Sequence, residues 1–340
     1  MKKYYLIIPF LFLIILVIPC SAFSVSKEIK VVDFRGKELT FSKPVRRIVC
    51  LIESALSGIY MLGKEKSIIA VSTNVYTGDV FRYYAMLDER IKNKSLPAPG
   101  SWEFVNIESV VALKPDVVII WLKQTETIKS LEERGIPVFG VFINRFEDVY
   151  YEITQLGKLT GSEKRAEEII SYTKKELAEF QKKFQKIPEE SKKKAYFMWG
   201  QGALHTSCQK SSVNDLLQMA GCRNVCSNTL DEHIVVSMEQ VIKWNPDIII
   251  MWQNLKLNPS DIINDSRWRT INAVKNMMVF ELPEIFLYDL WTLKFPYAVK
   301  MSAKWAYPDL LKDMNMDKEK AKMLTFLYFG KLNKESSIQN

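Results

Sequence analysis

Hydrophobic positions along this chain fall into two alternating rhythms. Short continuous apolar runs, RRIVCLI (46–52), SIIAVS (67–72), Asp116–Trp121 and PVFGVF (137–142), read as strands buried on both faces. Between them lie segments with helical spacing: Ser54–Leu62 stopped by Gly63, Glu108–Lys114, and Lys123–Arg134 ended by Gly135. Strands alternating with helices predict a parallel sheet covered on both sides. Ahead of them, IKVVDFRGKELTF alternates and turns at Arg35-Gly36 like a hairpin. The stretch Thr73–Trp102, with Tyr76, Arg82, Tyr83, Tyr84 and Trp102, predicts a long, loop-rich segment.

The same rhythm then starts again. Asn106–Trp121 reads NIESVVALKPDVVIIW and Ser237–Trp252 reads SMEQVIKWNPDIIIMW, so Glu108 answers Glu239, Pro115-Asp116 answers Pro246-Asp247, and Trp121 answers Trp252. SALSGIYMLG (54–63) likewise lies over SVNDLLQMAG (212–221). That period is too long for a solenoid and predicts two similar α/β lobes with a cleft between them. KKAYFMW (193–199) and MMVFEL (277–282) supply further strands of the second lobe, Ser212–Ala220 a helix, Ile262–Val274 a connecting segment, and Trp291–Gly330 a helical end. Glu147–Lys158 predicts one helix, and Gly161-Ser162 open a longer one to about Lys186 with no counterpart in the second half. That element is expected to be a stiff connector. The division is 28–146 for the first lobe, 147–190 for the helical connector, 191–332 for the second lobe and 333–340 for a tail.

The first residues change the compartment. Lys2 and Lys3 precede an apolar run from Tyr4 to Pro19, then Cys20-Ser21-Ala22, the pattern of a secretory signal peptide over residues 1–22 with cleavage after Ala22. The run is short for a membrane span. Cys20 as a lipid-bearing cysteine is the lesser alternative, because Pro19 stands where a small residue is expected. Export predicts a periplasmic protein, or one anchored at the outer face of the membrane. Without Lys2 and Lys3 the formal charge falls from +8 to +6, mostly scattered lysine, with no basic stripe interleaved with aromatics, so nucleic acid is excluded as a partner. An exported chain can oxidise its remaining cysteines, Cys50, Cys208, Cys222 and Cys226. Cys222 with Cys226 is the favoured pair, Cys208 competes, and Cys50 reads as core.

Motif by motif, the chain resembles a family. "GKELTFSKPVRRIVCL", "YMLG", "NIESVVALKPDVVI", "LGKLTGSEKRAEEI" and "MAGCRNV" stand in its order, and "LKFPYAVKMSAKWAYPDLLKDM" with "FLYFG" resembles one subgroup. The family is that of the substrate-binding proteins of ABC importers for iron–siderophore, haem, cobalamin and related metal complexes. The resemblance implies two Rossmann-like (chelatase-like) lobes joined by one long rigid helix, with the ligand cleft between them. It also implies a monomer that undergoes modest closure and delivers its ligand to a permease with ATPase subunits. Permease docking would use an acidic residue on each lobe. These match Asp215 in the second lobe and, because the usual glutamate falls on Ser57 here, Glu53 in the first.

Ligands in open α/β sheets bind beyond the carboxyl ends of the strands. That rule selects Glu53, Thr73–Tyr76, Trp121–Lys123 and Asn144-Arg145 in one lobe, and Trp199–His205, Trp252-Gln253 and Glu284–Trp291 in the other. The candidate ligand residues are Tyr76, Arg82, Trp102, Lys123, Asn144, Trp199, His205, Trp252, Arg267, Tyr288 and Trp291. Aromatic residues suit a bulky or planar ligand. Cationic groups suit the anionic groups of a chelate, or an oxyanion of molybdenum or tungsten, which the subgroup resemblance also reaches. With two histidines in the chain, His205 and His233, direct capture of a bare metal is disfavoured. The metal is expected to arrive chelated, most simply as a ferric siderophore-type complex, with His205 as a single axial or hydrogen-bonding ligand. No GxGxxG, P-loop or GxSxG motif is present, so no catalytic role and no cofactor are expected. A chelatase-like enzyme would want more His or Cys at the cleft.

Overall fold

The computed structural model describes Met1 and residues 28–254, 256–329 and 332; the expected signal peptide and the 333–340 tail lie outside the described residues. Among the described residues, twelve strands occur in chain order. The first lobe holds β1 (Ile29–Val32), β2 (Glu38–Phe41), β3 (Ile48–Cys50), β4 (Ile68–Val71), β5 (Val117–Trp121) and β6 (Val138–Val141). The second holds β7 (Lys194–Met198), β8 (His205–Thr206), β9 (Arg223–Asn224), β10 (Ile234–Val235), β11 (Ile248–Met251) and β12 (Val279–Glu281). β1 and β2 form the expected hairpin, with Gly36 in its turn at φ 79°.

Each lobe is built on a four-stranded parallel sheet. The orders are β4-β3-β5-β6 and β9-β7-β11-β12, so both sheets read second, first, third, fourth strand. Cys50 pairs with Ile119 in one, and Phe197 with Ile250 in the other. The apolar runs are continuous because helices cover both faces.

The chain leaves the first lobe through helix Phe146–Thr160, which packs on helix Glu53–Met61 and on β1. Gly161 ends it in the left-handed region (φ 66°), and helix Glu163–Gln181 makes the crossing. Ala166, Ile169, Thr173, Leu177 and Phe180 form its buried stripe. A side chain at Gly157 would meet Ala166 Cβ at 2.7 Å, so glycine is what lets the two helices approach. The regular helix stops short of the expected Lys186 and finishes in one tighter turn, Lys182–Phe184.

The structure changes or sharpens four expectations. Thr73–Trp102 is loop only in its last part, residues 93–102: Thr73–Tyr76 is a short helical turn, and helices Gly78–Leu87 and Glu89–Lys92 follow it. Its turn residues serve as caps, with Ser72 accepting from the Asn74 amide and Asp88 from that of Arg90. Ile262–Val274 divides into helices Pro259–Asn264 and Asn272–Lys275. The helical end is two helices, Phe295–Ala306 and Met316–Leu327. The disulfide joins Cys208 to Cys226 across a Cα–Cα distance of 5.1 Å and leaves Cys222 a free, buried thiol. Cys222 lies just past the end of helix Ser212–Met219 in the core, while Cys226 turns toward the segment after β8.

The C-terminal helices brace the connector. Lys300 and Lys322 both bond Glu176, Tyr172 stacks on Phe326 at 3.9 Å, and Arg165 donates to the carbonyls of Met61 and Phe326. Among the described residues, no helix is long and apolar enough to cross a membrane.

Candidate functional site

Three tryptophans gather where the second sheet's strands end. Trp199 follows β7, Trp252 follows β11, and Trp291 stands in the segment after β12. Trp199 and Trp291 lie parallel with centroids 6.0 Å apart, and Trp252 is 5.6 Å from each. The Trp199 indole N–H donates to Ser207 Oγ at 2.7 Å, which satisfies its one polar atom inside the wall. His233 stacks near Trp199 at 6.3 Å, and His205 Nδ1 lies 3.2 Å from His233 Nε2. Desolvation by the groups packed beside it, with the neighbouring His205, holds the exposed His233 below the ordinary histidine range. His233 is exposed, 28 residues along the chain from His205. The β8–β10 ladder joins them by setting His205 opposite Val235.

The first lobe's wall is sparser. Trp121, at the end of β5, meets Trp102 edge to face at 5.7 Å, and Lys123 Nζ lies 5.3 Å from the Trp121 ring and 5.1 Å from that of Phe142. Trp102 is 42% exposed beside an open depression of about 500 Å³ that Trp121, Lys123 and Gln124 also line. Tyr76 sends its hydroxyl to the Leu96 carbonyl inside this lobe. Asn144 precedes helix Phe146–Thr160, and its amide donates to Asp148.

Among the described residues, polar side chains join the lobes around Glu284, Asp215 and Lys294. Arg82 and Tyr83, on helix Gly78–Leu87, grip the two oxygens of Glu284 at 2.5 and 2.7 Å, and Asp79 accepts from the Phe286 amide at 2.8 Å. Arg145 clasps Asp215 with both Nε and a terminal nitrogen, and the Phe146 amide adds a bond at 2.8 Å. In the middle, the fully buried Lys294 donates to Ser57 Oγ at 2.7 Å and Tyr328 Oη at 3.2 Å, and lies 3.8 Å from Asp289. Burial lowers the Lys294 ammonium to about 8 and raises Asp289. Glu152 is also fully buried. Its Oε1 accepts from Ser54 while its Oε2 has no hydrogen-bond partner, and burial pushes the carboxyl up to about 8.

Several sequence expectations shift here. Asp215 is 2% exposed and engaged by Arg145, so it is not a free carboxylate at a helix surface. Glu53 is half-buried, and burial raises its pKa. Arg267 belongs elsewhere: it pairs with Asp265, and the following Asn272 bonds Asn245 and Asp247 at the amino end of β11, opposite the cleft. Tyr288 is 3% exposed and stacked on Tyr297 at 5.0 Å, a core position. Sequence reasoning missed Lys294, Tyr328 and Glu152. The available signal for Lys294 was a lysine alone in the apolar run LWTLKFPYAV, where a charge needs a partner.

Known proteins match this architecture. In Haemophilus influenzae, the molybdate-binding protein MolA is 26% identical over 325 residues, covering 87% of this chain and 90% of its own. An uncharacterised ABC transporter substrate-binding lipoprotein of Bacillus subtilis, YvrC, is 26% identical over 290 residues, covering 83% and 86%. Among solved structures, a periplasmic solute-binding protein of Veillonella parvula is 27% identical with a TM-score of 0.69, covering 88% of this chain and 92% of its own. Helicobacter pylori CeuE with Ni(II) bound shares the fold at 22% identity and a TM-score of 0.75, covering 89% and 96%. The first three are binding proteins rather than enzymes, and the substrate-binding proteins of ABC transporters work with a permease and its ATPase. The periplasmic binding protein family model matches residues 48–285, and the chain belongs to that family.

Proposed function

We propose that this protein is exported, captures a metal chelate with a broad apolar face, and hands it to an ABC importer. The observation that carries the reading is the wall of Trp199, Trp252 and Trp291 with His205 and His233 at its end. Stacked indoles offer large apolar area at small entropic cost, and the imidazoles give the ligand one polar, metal-capable contact. A ferric siderophore-type iron complex suits that combination best. Haem and cobalamin fit the same chemistry, and relatives include vitamin B12-binding proteins.

Molybdate is the second reading, favoured by the likeness to a molybdate-binding protein. An oxyanion needs convergent N–H donors. Against it, the arginines nearest the cleft are engaged with carboxylates, Arg82 with Glu284 and Arg145 with Asp215. Titrating the mature chain's tryptophan fluorescence with ferric siderophores, haem, cobalamin, molybdate and tungstate separates the two. Saturable quenching by a chelate is expected. A response to the oxyanions alone would overturn the chelate reading.

A further inference from the structure

The second-lobe wall relies on a segment that lies outside its four-stranded sheet. After β7 the chain turns at Trp199–His205, runs through β8, and reaches Cys208. The loop after β9 runs from Val225 to Val236 and carries His233, with Leu230 to His233 exposed. The backbone ladder tying these two segments is short: β8 and β10 are two residues each, extended by bonds from the Val236 amide to Leu204, the Cys208 amide to Glu232, and the Gln209 amide to Thr229. The Cys208–Cys226 bridge sits in the middle of this unit, both sulfurs on buried residues. Ser207, whose hydroxyl receives the Trp199 indole N–H, is its immediate neighbour, and Asn224 Nδ2 fastens the Ser207 carbonyl at 3.0 Å.

We propose that the Cys208–Cys226 disulfide is a positioning element of the ligand site: it holds Ser207 beneath Trp199 and the 225–236 loop against His205, so that the histidine pair joins the tryptophan wall only in the oxidised protein. The inference rests on reading that wall as the ligand site, although its test uses no ligand. Closing the bridge removes two protons and two electrons from the Cys208 and Cys226 thiols and passes them to a disulfide oxidant such as oxidised glutathione. An exported chain meets such conditions and a cytoplasmic precursor does not. Cys222 is a poor exchange partner, because burial pushes its thiol up to about 12 and leaves little thiolate to attack.

The chain's two histidines make the proposal directly readable. In untagged protein at one fixed pH, proton NMR reads which ring protons lie close together. The oxidised wild type is expected to give NOEs between the His205 and His233 ring protons and between His233 and the Trp199 indole. In C208S/C226S these NOEs should disappear, with the Trp199 indole N–H resonance shifted. C222S should reproduce the wild type. If the serine pair does not fold, C208A/C226V, which keeps apolar volume at the bridge, takes its place. A folded variant with unchanged histidine NOEs and an unchanged Trp199 resonance would assign the bridge to general stability and overturn the proposal. Failure of the ligand reading would show separately, as silence in the fluorescence panel.

Discussion

The two lobes carry the same sheet and use their insertions in opposite ways. In the first lobe, the long insertion between β4 and β5 contains helix Gly78–Leu87, which reaches across to Glu284 and Phe286 of the other lobe. In the second, the insertions around β8 and β10 fold back over their own sheet and are stapled by a disulfide. Trp121 and Trp252 occupy equivalent sheet positions. Trp121 meets one indole at an open depression, whereas Trp252 meets two in a packed wall. A duplicated scaffold therefore yields one lobe whose insertion grips its partner and one whose insertions cover its own aromatic wall. Division of labour lies in the connections, where a parallel sheet leaves the chain freest to vary.

The strongest challenge to that picture is at Lys294, which spans the lobes. Lys294→Ala leaves Asp289, whose side chain is 13% exposed, without its counter-charge, and losing one partner of a buried pair costs about 3–5 kcal/mol. Denaturant unfolding should show one cooperative, destabilised transition. A loss confined to second-lobe probes would mean that the junction does not couple the lobes.

Trp252→Ala against Trp121→Ala tests the asymmetry itself. The first should weaken ligand binding by about 2 kcal/mol or more, near 30-fold, as a central aromatic anchor does, and the second by less than about 1 kcal/mol. Equal losses in fluorescence titrations would make the two walls equivalent.

Glu152 gives a pH signature to the buried junction. Its folded carboxyl keeps its proton up to about 8 against an ordinary value of 4.5, so between these values the native state binds more protons than the unfolded state. Stability from this group is therefore complete below 4.5 and is lost as pH rises through about 8. Glu152→Gln should flatten that decline in urea midpoints measured across the window, and an unchanged slope would remove Glu152 as its source.

The smallest effect is expected at Arg82. Its side chain is 53% exposed in the pair with Glu284, so Arg82→Ala should change stability by about 0–1 kcal/mol in thermal unfolding. A larger loss would promote this clasp from a rim contact to a structural hinge.

Much of the fold was legible from pattern. NIESVVALKPDVVIIW and SMEQVIKWNPDIIIMW announced two sheets because buried parallel strands require continuous apolar runs, and Gly161-Ser162 marked where the crossing helix begins. Trp199, Trp252, Trp291 and His205 were legible as site candidates because strand ends define a cleft edge. Tyr288 and Arg267 misled for the same reason in reverse. Distance along the chain from a strand end does not say whether a side chain turns into the core, as Tyr288 does, or sits at the far end of the next crossover, as Arg267 does. The helix Gly78–Leu87 was hidden because its flanking cap residues look like loop residues in one dimension.

By itself the sequence determined the α/β class, the duplication, the crossing helix and the residues at the strand ends, all of which follow from local periodicity. Only the tertiary structure decided which cysteines join, that His233 meets His205, and that Lys294, Ser57 and Tyr328 form one buried junction. These are contacts between residues far apart in sequence. Their energies come from burial and charge compensation that exist only once both lobes and the C-terminal helices have closed around them.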